Sequence, residues 1–168
     1  MAKTILLVED SEDDVFFATR AFKAAGIVAP VLRVEDGRRA IDYLNGKGPY
    51  ADRAKFPFPY VVLLDIKMPL VTGFEVLQWI RKQSSYPTVP VVMFTSSNQE
   101  CDIAKAYALG ANAYLVKPNQ AHNFSDLAGL IKRFWLDANV PPPQHGETAQ
   151  SPEYFPSPLL NREQRAGF

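Results

Sequence analysis

Five short apolar runs constrain this chain more than any other feature. Thr4–Val8 (TILLV), Tyr60–Leu64 (YVVLL), Val89–Phe94 (VPVVMF) and Ala113–Val116 (AYLV) show no polar alternation, and Pro30–Val34 (PVLRV) is a weaker fifth. A strand with no polar face is buried on both sides, which points to a parallel sheet covered by helices above and below. Pro90 falls near the start of its run, a position that a strand tolerates.

The segments between the runs carry helical periodicity. A first helix is predicted from Glu12 to Ala25, with Val15, Phe16, Thr19 and Phe22 at helix spacing and Gly26 as its stop. A second spans Arg38–Leu44, ahead of Asn45-Gly46. A third covers Gly73–Lys82 and turns Phe74, Leu77 and Ile80 inward. The fourth runs over Asn98–Leu109, capped by Asn98 and stopped by Gly110, and the fifth over Phe124–Leu136. Strands alternating with helices in this way predict an α/β fold, a doubly wound five-stranded parallel sheet. Gly46–Pro59 stands apart as a Gly/Pro-punctuated loop of unusual length.

Composition narrows the functional classes. The chain has 168 residues, room for one domain and an appendage, and 47% of them are hydrophobic, which excludes wholesale disorder. Its 18 basic and 18 acidic residues cancel, removing the electrostatic case for nucleic-acid binding. With Cys101 alone there is neither an internal disulfide nor a cysteine zinc site, so a reducing cytoplasm is the expected location. The first apolar run stops at Glu9, far short of a membrane span. The expected division is a folded domain over 1–138 and a Pro-rich tail over 139–168, whose Tyr154, Phe155, Leu159 and Leu160 suit an extended segment lying on a surface.

In a doubly wound sheet the ligand site forms outside the carboxyl ends of the strands. Those ends here read Glu9-Asp10, Asp65, Thr95-Ser96 and Lys117-Pro118. Each alone is ordinary loop chemistry, but together they bring carboxylates, hydroxyls and an ammonium to one edge. Carboxylates so gathered need a cation, and an all-oxygen set without His or Cys favours Mg²⁺ over zinc. A central carboxylate can then attack phosphorus and form an aspartyl phosphate, with the cation, a lysine and a hydroxyl neutralising the phosphoryl oxygens.

The segments ILLVED (5–10), LLDIKMPLVTGFEVL (63–77), VVMFTSS (91–97) and GANAYLVKP (110–118) resemble the receiver domain of bacterial two-component response regulators. The likeness covers about Lys3 to Leu136 with every strand in order. It implies the strand order 2-1-3-4-5, Asp65 as phosphoacceptor, Glu9 and Asp10 as the acidic pair, and Mg²⁺ held by these carboxylates with the backbone carbonyl of Lys67. It further implies that Thr95 and Lys117 contact the phosphoryl group and that Tyr114 is an aromatic switch. The long loop, followed by VVLLDIKMP, looks like that of small receivers paired with phytochrome-type histidine kinases, so a sensor histidine kinase is the implied partner. Asn119-Gln120 replaces the apolar residue that many receivers place after Pro118.

Other readings fare worse. A haloacid-dehalogenase-like hydrolase needs a second Asp two positions after the nucleophile, where this chain has Lys67. No Gly-rich nucleotide-binding motif occurs. The tail lacks a helix-turn-helix pattern, so the expected output is a surface rather than DNA, and the chain is expected not to be an enzyme. That surface is expected on helix 4, strand 5 and helix 5, with Tyr107 and Tyr114. Phe124, Leu127, Leu130, Ile131, Phe134 and Trp135 exceed what one buried face needs, which favours a homodimer. His122 and His145 are expected at the surface, Cys101 as a small packing residue, and Trp79 and Trp135 as core or interface anchors.

Overall fold

The computed structural model describes residues 3–84, 87–119 and 124–142. Five parallel strands form one sheet in the order β2-β1-β3-β4-β5, with β1 at Ile5–Val8, β2 at Val31–Val34, β3 at Val61–Leu64, β4 at Val91–Thr95 and β5 at Ala113–Val116. The helices are α1 (Glu12–Ala24), α2 (Gly37–Asn45), α3 (Gly73–Gln83), α4 (Glu100–Ala108) and α5 (Phe124–Ile131). The expected doubly wound sheet and its order are therefore present.

Each central strand divides its side chains between two cores because successive residues point to opposite faces. Leu6, Val8, Val62, Leu64, Val91 and Met93 pack with Leu44, Leu77 and Ile80 of α2 and α3. Ile5, Leu7, Val61, Leu63, Val92 and Phe94 pack instead with Ala18 and Phe22 of α1 and with Phe124 and Ile131 of α5. Every residue of β1, β3 and β4 is buried, as their unbroken apolar runs require. Phe74, Leu77 and Ile80 all face inward from α3.

Boundaries follow the local chemistry. Pro90 has no N–H to donate, so β4 begins one residue later, while the Pro90 carbonyl accepts from Val62 N at 2.9 Å. Ser11, Asp36 and Thr72 cap α1, α2 and α3, Thr72 in a reciprocal box with Glu75. Asn98 does not cap α4. Gln99 occupies that position without capping a backbone N–H through its side chain, and Ser97 bridges the turn by accepting from Gln99 N at 3.4 Å and donating to Asp102 Oδ2 at 2.6 Å.

Two expectations about individual side chains, and one about a helix, need correction. Cys101 is exposed rather than packed, because α4 buries only Ala106 and leaves Glu100 and Cys101 in solvent. Phe16 is 57% exposed, since α1 rests on Ala18, Ala21 and Phe22 instead. The last helix is α-helical only to Ile131 and continues as a π-helix over Lys132–Ala138. Within it Phe124, Ile131 and Trp135 are buried, Leu127 is packed against the core, and Leu130 and Phe134 are exposed. Trp79 is half-buried against the α2–α3 core.

The long loop 46–59 packs its aromatic side chains against the α2–α3 core. Tyr43, Tyr50 and Phe56 stack edge to face or tilted, with ring centroids 5.3–6.1 Å apart. Arg53 closes the end of α2 by donating to the carbonyls of Tyr43 and Leu44 at 2.9 and 2.8 Å. After the π-helix, the Tyr60 hydroxyl donates to the Asn139 carbonyl at 2.8 Å. Tyr154, Phe155, Leu159, Leu160, His122 and His145 lie outside the described residues. Among the described residues no helix is long and apolar enough to cross a membrane.

Two glycines make room for the loop that leaves β3. A Cβ on Gly73 would stand 2.0 Å from the Asp65 carbonyl oxygen, and one on Gly37 would stand 2.3 Å from that of Val71. Both obstacles are backbone and cannot swing aside. Gly73→Ala should therefore lower stability by about 2 kcal/mol, read as a shifted urea midpoint with an unchanged slope. A midpoint equal to that of the wild type would contradict this close approach.

Candidate phosphoryl-transfer site

The sheet register assembles the site. Val8 pairs with Leu64, so Glu9 and Asp65 leave the sheet side by side. Thr95 pairs with Val116, so Lys117 emerges next to it, and Lys117 N donates to the Thr95 carbonyl at 2.7 Å. Parallel strands put all these ends on one edge.

One carboxylate oxygen each from Glu9, Asp10 and Asp65 lies within 4.8 Å of the others. Glu9 and Asp65 are buried and Asp10 is exposed. The buried Lys117 ammonium donates to Glu9 Oε2 and, at 2.8 Å, to Asp14 Oδ2. It stands 3.7 Å from Asp65 Oδ1, beyond hydrogen-bond reach. Phe94 lies beneath it, the ring centroid 5.7 Å from Nζ. Arg33 of β2 fastens the acidic loop from outside, donating to the carbonyls of Glu9 and Asp10 at 3.1 Å each and pairing with Glu12 at 2.6 Å.

The electrostatics reflect this crowding. Burial pushes the Glu9 carboxyl up to about 7, and the Asp65 charge adds to that, while Lys117 and the Ser11 N–H pull it down. For Lys117, burial works against the charge, but Asp65, Asp14 and Glu9 outweigh it and the ammonium is held above its ordinary value. Asp65 Oδ1 is buried without a hydrogen-bond partner. Such an oxygen is costly to leave unsatisfied, and the set around it is all oxygen. The group fits a hard divalent cation, which would bind among these carboxylates and offset their surplus negative charge.

The expected residues are not all in one cluster. Glu9, Asp10, Asp65 and Lys117 meet directly. Thr95 is buried at the end of β4, its hydroxyl accepting from Ser97 N at 3.4 Å. Tyr114, in register with Met93, donates its hydroxyl to the Ser97 carbonyl at 3.0 Å. Lys67 lies two residues past Asp65 with its side chain exposed. Sequence reasoning missed Asp14 and Arg33. The run Glu12-Asp13-Asp14 was the available signal for the first, and the lone arginine in the weak second strand for the second.

Comparison with known proteins bears on the family and the fold. The sequence profile of the response regulator receiver domain matches residues 5–128. Response regulator Rcp1 of Synechocystis is 33% identical over 135 residues, 80% of this chain and 90% of that protein. Its Mn²⁺-bound crystal structure superposes with a TM-score of 0.75, covering 84% of this chain and 99% of that one. Response regulator RPA3017, in red light signaling of R. palustris, reaches a TM-score of 0.79 at 33% identity, over 84% of this chain and 99% of its own. The phosphorylated cyanobacterial phytochrome response regulator RcpA gives 0.78 at 31% identity, over 85% and 100%. With five parallel strands in the order 2-1-3-4-5 and a family match across most of its length, the chain belongs to the response regulator receiver domains of two-component signalling.

Proposed function

We propose that Asp65 is the phosphoacceptor and that a phytochrome-type sensor histidine kinase is the donor. The observation that carries this reading is Asp65 Oδ1, buried and without a hydrogen-bond partner, beside Lys117 and the acidic pair. The likeness to RPA3017 and RcpA supports the choice of kinase. The carboxylate oxygen attacks phosphorus while the P–N bond of the phosphohistidine breaks, and the imidazole leaves with the electron pair. With a small acyl phosphate, the P–O bond breaks instead and a carboxylate leaves. Glu9, Asp10 and Asp65, with the Lys67 carbonyl, would hold Mg²⁺, which supplies positive charge to the phosphoryl oxygens. Lys117 donates a hydrogen bond to one of those oxygens and the Thr95 hydroxyl to another.

Phosphorylation adds about −1.5 to −2 charge at neutral pH. Thr95 is then drawn toward that charge, and Tyr114 leaves Ser97 to turn inward. Output then passes through the face of α4, β5, α5 and the π-helix that follows it, where Tyr107, Leu130 and Phe134 are exposed, by pairing with a second copy. The receiver unit is assigned to 1–138 and the tail to 139–168, in the cytoplasm, acting on protein partners and not on nucleic acid, in keeping with its zero net charge. It is a signalling module rather than an enzyme with a released product.

Asp65→Asn keeps the shape and removes the nucleophile. We expect it to take no label from a radiolabelled acyl phosphate in Mg²⁺, while the wild type forms a hydroxylamine-sensitive acyl phosphate. Wild-type labelling of the variant would refute the assignment.

Glu9 supplies a pH test. Its folded value of about 7 lies above the ordinary 4.5, so between those limits the folded state holds a proton that the unfolded chain has released. Stability of the metal-free protein should accordingly fall as pH rises from 4.5 through 7. Mg²⁺ needs the ionised carboxylate, so its affinity should be about tenfold weaker at about pH 6 than at about pH 8. Glu9→Gln should abolish that dependence. Equal affinities at the two pH values, followed by NMR titration, would contradict the Glu9 environment described above.

A further inference from the structure

We propose that Asp14 is a positioning residue for phosphoryl transfer, one that holds the Lys117 ammonium off the Asp65 nucleophile. The inference rests on Asp65 as acceptor and adds a role for a residue outside the acidic pair and the phosphoryl-contacting side chains. Lysine has three N–H donors. One serves Glu9 Oε2 and one serves Asp14 Oδ2 at 2.8 Å, which leaves Nζ 3.7 Å from Asp65 Oδ1. Asp65 Oδ1 consequently keeps its lone pairs although it is buried beside a cation.

Asp14 is placed for this by the start of α1. Its backbone N–H donates to the Ser11 cap at 3.3 Å, so it sits in the first helical turn. Its neighbours Glu12 and Asp13 are exposed, whereas the Asp14 side chain is two-thirds buried at the rim and reaches Lys117. Asp14 does not belong to the group of carboxylates close enough to share a cation. Its task is the lysine alone.

The two anchors decide where the third N–H is available. With Glu9 on one side and Asp14 on the other, the ammonium can donate to an incoming phosphoryl oxygen without breaking either bond. Remove Asp14 and a buried ammonium loses one of two acceptors, which is costly unless it finds another. The nearest unsatisfied acceptor is Asp65 Oδ1, and a shift of about 1 Å brings it into hydrogen-bond range. A carboxylate oxygen bonded to an ammonium is less basic and a poorer nucleophile, and that bond must break before attack.

The test is the initial rate of labelling by acetyl phosphate at saturating Mg²⁺. Asp14→Ala should react about tenfold more slowly than the wild type, a barrier increase of about 1.4 kcal/mol. Asp14→Asn retains an acceptor oxygen and should stay within about threefold of the wild type. In a Lys117→Ala background, Asp14→Ala should cause no further loss, because the residue acts through the lysine. An unchanged rate in Asp14→Ala, or an equal loss with and without Lys117, overturns the proposal. Asp14→Asn also guards against a folding defect, since a variant that matches the wild-type unfolding midpoint yet reacts as slowly as Asp14→Ala contradicts it too. Labelling retained in Asp65→Asn would instead bring down the acceptor reading, which keeps the two failures separate.

Discussion

Lys117 places one positive charge among Glu9, Asp14 and Asp65, in a pocket where its own side chain is only 4% exposed. Stripping water from a charge costs several kcal/mol even after relaxation, and two of the three carboxylates share that burial. At an effective dielectric of about 20, an ion pair near 4 Å returns about 4 kcal/mol. One ammonium therefore offsets much of the penalty but not all of it. The deficit is visible in Glu9, whose carboxyl is pushed up to about 7 by burial despite its bond to Lys117. It is visible again in Asp65 Oδ1, buried and unsatisfied. A pocket with surplus negative charge and an open oxygen is poised to take a cation and then a phosphoryl group.

The rest of the fold keeps that arrangement fixed. Parallel register sets Glu9 beside Asp65 and Lys117 beside Thr95 before any side chain chooses a rotamer. Gly73 and Gly37 let the loop after β3 pass where a Cβ would collide with backbone. Arg33 reaches from β2 to hold the carbonyls of Glu9 and Asp10, so the edge strand takes part in shaping the acidic loop. At the opposite end of the sheet, Arg81 donates to the carbonyls of Gly110, Pro87 and Val89 and to Asn112, tying α3 to the entries of β4 and β5. These contacts are structural, yet each limits how far the reacting groups can drift.

Much of this was legible in the sequence for a physical reason. Strands buried on both faces leave an unbroken apolar run, and parallel strands deliver their last residues to one edge, so Glu9, Asp10, Asp65, Thr95 and Lys117 group together in the sequence alone. Asp14 could not. Three consecutive acids at a helix start are what the helix dipole favours anyway, and nothing local distinguishes the one that turns inward. Arg33 read as a weakness in a strand when it is the clamp on the acidic loop. Cys101 and Phe16 misled because a small or apolar residue on a helix is buried only if its face meets the sheet, and the tilt of α1 and α4 is a tertiary property. The start of β4 moved past Pro90, which has no N–H to donate, and the start of α4 moved past Asn98, where Ser97 bridges the turn.

The claim that one ammonium holds this acidic cluster together is tested most directly by unfolding Lys117→Met in urea at about pH 8, with and without saturating Mg²⁺. Without the cation the variant should lose about 3 kcal/mol, the cost of leaving buried carboxylates unpaired. Most of that loss should be recovered when Mg²⁺ replaces the missing charge. A loss of the same size in both conditions, or no loss in either, would contradict the account.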